Sequence, residues 1–272
     1  MSKLSRKLMV EPGQKVRLSK TDPDSTDGVK NKQEAEERLE KNVARLAQLQ
    51  YLLYAEKKRA VLIVFQAMDA GGKDGTIRQV MSGLNPQGCR VIPFKVPAGE
   101  EREHDFLWRI HKATPAYGEI GIFNRSHYED VLVVRVQNLV PKAVWAERYK
   151  HINAFESLLD ESGVKVLKFF LHISREEQQA RLRERLQDRE KHWKVSAADF
   201  EDRKRWNDYM AAYEDVFREC STSWAPWYII PANKKWYRNL AVSQIIVEAL
   251  EEMDLQLPKP AEEVTKLLAV VE

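Results

Sequence analysis

Apolar residues recur every three or four positions between Gln33 and Lys57, at Leu39, Val43, Leu46, Leu49 and Leu53, among Glu, Lys and Arg. That spacing predicts one amphipathic helix over Gln33–Lys57. The pattern then changes. Ala60 to Gln66 (AVLIVFQ) is an unbroken run rich in β-branched residues, as expected of a strand buried on both faces of a parallel sheet. Further strands are predicted over Cys89–Phe94, Glu119–Phe123, Val164–Leu171 and Trp227–Pro231. Helices are predicted over Gly75–Leu84, Pro141–Asp160, Glu176–Leu186, Phe200–Cys220 and Trp236–Met253. Short strands alternating with longer helices predict βαβ units and a doubly wound α/β fold. Residues 1–32 are polar and broken by Pro12, Gly13 and Pro23, which predicts an irregular arm. No Gly/Ser-rich linker divides the chain after this arm, so 33–258 read as one domain and 259–272 as a tail.

Composition narrows the partners. Of 272 residues, 43% are hydrophobic, enough for a sizeable core. The 44 Lys and Arg nearly balance 41 Asp and Glu, leaving a net charge of +3. Any polyanion site is therefore a local patch, and a nucleic-acid or membrane surface is not expected. Cys89 and Cys220 are the only cysteines, so neither a disulfide framework nor a zinc cluster is expected. The longest apolar runs, Val61–Phe65 and Val131–Val134, are too short to span a bilayer. With no apolar stretch of a secretory signal near Met1, the expected location is the cytoplasm.

The sharpest chemical signal comes just after the first buried strand: Gln66-Ala67-Met68-Asp69-Ala70-Gly71-Gly72-Lys73-Asp74-Gly75-Thr76. Glycines let successive N–H groups curl inward, a helix N-terminus adds its dipole, and Lys73 supplies a full charge. This is the arrangement of a Walker A phosphate loop, with Ala67 in place of the first glycine and Asp74 in place of Ser or Thr. The usual magnesium ligand is thereby lost, and Asp69 is the candidate substitute. A glycine-rich turn with a surface lysine would leave the same pattern, but the flanking strand and helix favour phosphate binding.

At the end of the Glu119–Phe123 strand lies Asn124-Arg125-Ser126-His127-Tyr128-Glu129-Asp130, where ligands of open α/β sheets bind. Asn124 stands in the place of a Walker B acid, and Arg125 is a candidate to neutralise a transferring phosphoryl group. A polar helix cap starting at Ser126 fits equally well. His127 reads as a capping or packing residue. From Gln178 to Trp206 the chain is dense in basic residues, with Arg181 and Arg185 four apart on one helical face. An ordinary salt-bridged surface explains this as well as a lid whose arginines close over phosphates.

FQAMDAGGKDGT at Phe65–Thr76, HDFLWR at His104–Arg109, FNRSHYEDV at Phe123–Val131, KFFLHIS at Lys168–Ser174 and APWYIIPANK at Ala225–Lys234 together resemble the family-2 polyphosphate kinases. The likeness is to the subgroup acting on nucleoside mono- and diphosphates. It implies a P-loop, thymidylate-kinase-like three-layer sandwich with a helical lid over about 178–206. It also implies magnesium-dependent (or manganese-dependent) transfer of the terminal phosphoryl of inorganic polyphosphate to AMP or ADP, reversibly, with guanine nucleotides as further candidate acceptors. By motif position, Asp69 would bind metal and orient the acceptor phosphate. Gly71, Gly72, Lys73, Asp74 and Gly75 would hold phosphates; Arg125, Arg181 and Arg185 would clamp the transferring group. Asn124 departs from members carrying aspartate, and Glu129 falls where members vary, which implies a part in acceptor choice. The likeness implies a homo-oligomer, for which the Gln33–Lys57 helix is the candidate interface. The residues alone leave open an ATP-dependent nucleoside monophosphate kinase and a non-catalytic nucleotide or polyphosphate binder.

Overall fold

Five parallel strands set the frame, in the order β2-β3-β1-β4-β5. The computed structural model describes residues 1–260 and 264, so most of the expected 259–272 tail lies outside the described residues. In chain order the elements are α1 (Lys3–Leu8), α2 (Lys32–Glu56), β1 (Ala60–Gln66), α3 (Lys73–Val80), β2 (Cys89–Pro93), α4 (Trp108–Lys112) and β3 (Ile120–Asn124). They continue with α5 (Val133–Val136), α6 (Lys142–Glu161), β4 (Val164–His172), α7 (Arg175–Gln187), α8 (Ala197–Lys204), α9 (Trp206–Cys220), β5 (Trp227–Pro231) and α10 (Lys235–Glu252). This is the α/β architecture that the alternating pattern predicts. No helix among the described residues is long and apolar enough to cross a membrane.

Every residue of β1 is buried, because the strand lies between β3 and β4 with helices over both faces. Its register places Phe65 opposite Asn124 on one side and Phe169 on the other. The segments leaving β1 and β3 therefore emerge side by side at the same end of the sheet. Successive residues of β4 point to opposite faces. Lys168 and Phe170 meet α6 and α9, where Phe170 packs on Tyr213 and Phe217. Phe169 stacks on Phe65.

Several expectations change. The arm is not wholly irregular: α1 forms, Val10 donates its N–H to the Trp227 carbonyl at 2.8 Å, and Met9 bridges Tyr228 antiparallel. The arm thus covers the otherwise bare flank of β5. The apolar stripe of α2 is buried within the chain at Leu46, Leu49 and Leu53, and α2 is tied to α10 by Asn42 donating to Ser243 at 2.9 Å. These positions of the stripe are therefore taken up within the chain, while Tyr51 and Tyr54 of the same helix stay exposed. The helix predicted over Phe200–Cys220 is two helices, broken at Arg205, whose Nη1 donates to the Val136 carbonyl at 2.7 Å.

Beneath the turn after β3 lies a fully buried polar cluster. Lys168 donates to Tyr128, Glu156 and the Cys220 carbonyl, while Glu156 also bonds His127 and Tyr128. Burial alone would raise the Glu156 pKa, but Lys168 and His127 outweigh it and hold the carboxyl below its usual range. Burial pushes His127 the other way, toward the neutral form. Two consecutive turn residues are thus anchored inward on one carboxylate. Glu156→Ala is expected to destabilise the protein by about 3–5 kcal/mol in urea unfolding, because Lys168 is left buried without a counter-charge. Replacing both partners, Glu156→Leu with Lys168→Met, should recover most of that loss. If the double variant were as unstable as the single one, the ion pair would not be what anchors the turn.

Candidate functional site

The turn after β1 is built from unusual backbone. Ala70 (φ 61°) and Gly72 (φ 101°) both adopt left-handed conformations, and the Gly71 N–H closes on the Met68 carbonyl at 2.9 Å. Gly72 has neither strain nor a side chain to place, whereas Ala70 pays the steric cost of a Cβ in that region. α3 begins at Lys73, two residues earlier than the periodicity suggests, with Gly72 as its cap. Lys73 Nζ folds back over the turn to the Ala67 carbonyl at 3.2 Å. Burial and then Arg125 lower the Lys73 pKa, while Asp69, Glu129 and Asp74 oppose the shift.

Arg181 departs from the expectation that it reaches a phosphate. All five of its N–H groups are committed to protein: one to Glu177, two to the carbonyls of Ala70 and Gly71, and two to those of Ala232 and Asn233. It ties the phosphate loop to the end of β5. Gln178 adds a bond from the same helix to the Asp69 carbonyl at 3.0 Å.

The second turn meets the first directly. The Arg125 N–H donates to the Phe65 carbonyl at 3.1 Å, its φ is +64°, and its guanidinium pairs with Asp69 at 2.8 Å. Burial works against the Arg125 charge, but Glu129 and Asp69 more than offset it and raise its pKa. Burial raises the Glu129 pKa, with Arg125 and Lys73 opposing. Asp69, Lys73, Arg125 and Glu129 therefore form one coupled set. Asn124 turns aside and donates to Asp74 at 2.8 Å.

Two cavities share the phosphate loop. The smaller, about 480 Å³, is lined by Asp69, Lys73, Asp74, Phe94, Lys95, Asn124, Arg125, Trp193 and Asp199. The larger, about 1000 Å³, is lined by Lys32, Arg78, Lys191, Lys235, Trp236 and Arg238. Ala70, Gly72, Gly75, Arg185 and Lys194 face both. Arg185 lies 3.9 Å from Asp199, and Lys194 lies 3.7 Å from Asp74. Phe94, Lys95, Lys235 and Arg238 are absent from the sequence-based candidates. A signal for Lys235 and Arg238 existed in their place just after the C-terminal end of a predicted strand. Among the described residues no group of three or more His, Cys, Asp or Glu could hold a metal by itself. The carboxylates at the loop suit a cation that takes one or two protein oxygens and completes its shell with phosphate.

Burial and the nearby Asp69 push the Asp199 carboxyl up to about 6, from an ordinary 3.8, against Arg185 and Arg125. Below the ordinary value Asp199 is neutral in folded and unfolded chains alike. Between there and about pH 6 only the unfolded chain ionises freely, so the carboxyl costs stability increasingly as pH rises. Asp199→Asn should therefore raise the melting temperature near pH 7 and change it little near pH 4. An equal rise at both would show that charge is not the cause.

A protein-family model described as Polyphosphate kinase 2 (PPK2) matches residues 29–258. The chain is 55% identical over 256 residues to the AMP/ADP-polyphosphate phosphotransferase of Meiothermus ruber, covering 94% of this chain and 96% of that one. It is 45% identical over 267 residues to the ADP-polyphosphate phosphotransferase of Rhodopseudomonas palustris, covering 94% and 92%. The crystal structure of Polyphosphate Kinase 2 from Arthrobacter aurescens TC1 superposes with a TM-score of 0.93 at 42% identity, covering 100% of this chain and 98% of that chain. With β1, the phosphate loop and the Arg125 turn all inside the matched span, the chain belongs to the polyphosphate kinase 2 family.

Proposed function

We propose that this chain is a nucleotide kinase that transfers the terminal phosphoryl group of inorganic polyphosphate to AMP or ADP, giving ADP or ATP, and runs in both directions. The observation that carries the reading is the pair of cavities meeting at one phosphate loop. A transfer between two phosphorylated substrates needs both delivered to one point from separate directions. The larger cavity, rich in Lys and Arg, suits an extended chain with about one negative charge per phosphate. The smaller one offers the ring of Trp193, 79% exposed, to an acceptor base.

Within this arrangement Lys73 and the loop N–H groups hold the phosphates at the junction. Arg125, flanked by Glu129 and Asp69, stands where charge accumulates on the transferring group, and Arg185 exchanges Asp199 for a phosphate oxygen. Phosphoryl transfer gains most of its rate from such positioning and charge stabilisation. A divalent cation, Mg2+ or Mn2+, supplies further neutralisation of the phosphate oxygens when bound, and Asp69, with Glu129 beside it, would hold it.

Offered AMP or ADP with magnesium, the protein should form ADP or ATP with polyphosphate as donor. Activity with ATP alone as donor to AMP would overturn the reading. Asp69→Asn and Lys73→Ala, still folded by circular dichroism, should lose turnover; full activity in both would displace the site. Removing the Arg185 guanidinium as Arg185→Ala should cost about 2–4 kcal/mol of transition-state stabilisation, read from kcat/KM. No change would make the 178–206 segment a solvated helical surface and not a lid.

A further inference from the structure

Among the described residues four cationic side chains are buried: Arg109, Lys168, Arg181 and Arg238. Three of them have a carboxylate, Glu101 for Arg109, Glu156 for Lys168 and Glu177 for Arg181. Arg238, 3% exposed, has none among the described residues. Its Nε and Nη2 both donate to the same neutral oxygen, Asn239 Oδ1, at 3.1 and 2.9 Å. Its Nη1 donates to no described atom. The neighbouring charge is another cation: burial and then Arg181 push the Arg238 pKa down to about 10. A buried charge with no partner is among the most destabilising arrangements a fold retains.

Its position explains the retention. Arg238 sits on the first turn of α10, after the end of β5, and faces the larger cavity. The guanidinium lies against the phosphate loop itself. A Cβ on Gly72 would collide with Nη1 and lie 3.0 Å from Cζ, and one on Gly75 would lie 3.6 Å from Nη2. The missing side chain of Gly72 thus makes room for Arg238 as well as permitting φ 101°. Unlike Arg181, whose donors are all taken by protein, Arg238 keeps donors free beside the loop.

We infer that Arg238 is an anion-binding residue of the larger cavity, where it receives a phosphate group of the polyphosphate chain on the far side of the loop from the acceptor. A planar guanidinium matches two phosphate oxygens at once, and its missing counter-charge is supplied by the substrate. The ligand-free protein therefore carries a stability penalty that polyphosphate removes. This assignment rests on the reading that polyphosphate occupies the larger cavity.

The test is calorimetric titration of the full chain with inorganic tripolyphosphate, without nucleotide, in wild type, Arg238→Met and Arg238→Lys proteins. The methionine variant should bind about tenfold more weakly or worse, the loss expected of one charge-assisted contact. The lysine variant should recover part of it. In turnover, the KM for polyphosphate should rise in Arg238→Met while that for AMP stays unchanged. Ligand-free Arg238→Met should melt no lower than wild type, which a residue serving only to pack the loop would not allow. If Arg238→Met failed to fold, Arg238→Gln, which keeps a polar contact to Asn239, would carry the same comparison. Wild-type affinity in Arg238→Met or Arg238→Gln overturns the inference and leaves the kinase reading intact. Absence of tripolyphosphate binding to the wild type overturns the donor reading itself.

Discussion

The parallel pairing of β1 with β3 is the constraint on which the site depends. Phe65 faces Asn124 in register, and one residue further the Phe65 carbonyl takes the N–H of Arg125. Because both strands run the same way, their following turns leave from one edge, and side chains 56 residues apart in sequence meet as the Asp69–Arg125 pair. A one-residue slip would turn every side chain of either strand to the opposite face.

Around that junction, charges are held by one another and seldom by solvent. The half-exposed Arg125 has Glu129 and Asp69 beside it, and both raise its pKa. Arg181 and Arg238 show two uses of the same side chain a few ångströms apart. The first is saturated by carbonyls and sets the shape of the loop; the second is left unsaturated and adds positive potential beside it. Below both turns, Glu156 anchors His127 and Tyr128, so the surface carrying Arg125 and Glu129 rests on a rigid floor.

Much of the frame was legible in the residues. AVLIVFQ and WYIIP match β1 and β5 end to end, since fully buried strands leave continuous apolar runs. The break at Arg205 was not legible, because helical spacing continues across it and the interruption comes from a bond to Val136, 69 residues away. Helical spacing puts Arg181 and Arg185 on one face, one turn apart, and by itself does not tell them apart. Their roles diverge only where the carbonyls of Ala232 and Asn233 arrive to occupy Arg181. Arg238 was marked only by its place after the end of β5, since nothing in Trp236-Tyr237-Arg238 tells that its guanidinium is buried against the turn at Gly72.

The arm laid along β5 has a consequence for how this sheet meets other molecules. With Met9 and Val10 bonded to Tyr228 and Trp227, that flank has fewer main-chain groups left to offer an incoming strand. The opposite flank, β2, is five residues long, exposes the charged Arg90 and ends at Pro93, which has no N–H to donate. Short, charged and proline-terminated borders discourage strand addition. Pairing with a strand of another molecule is thereby discouraged at both flanks of the sheet.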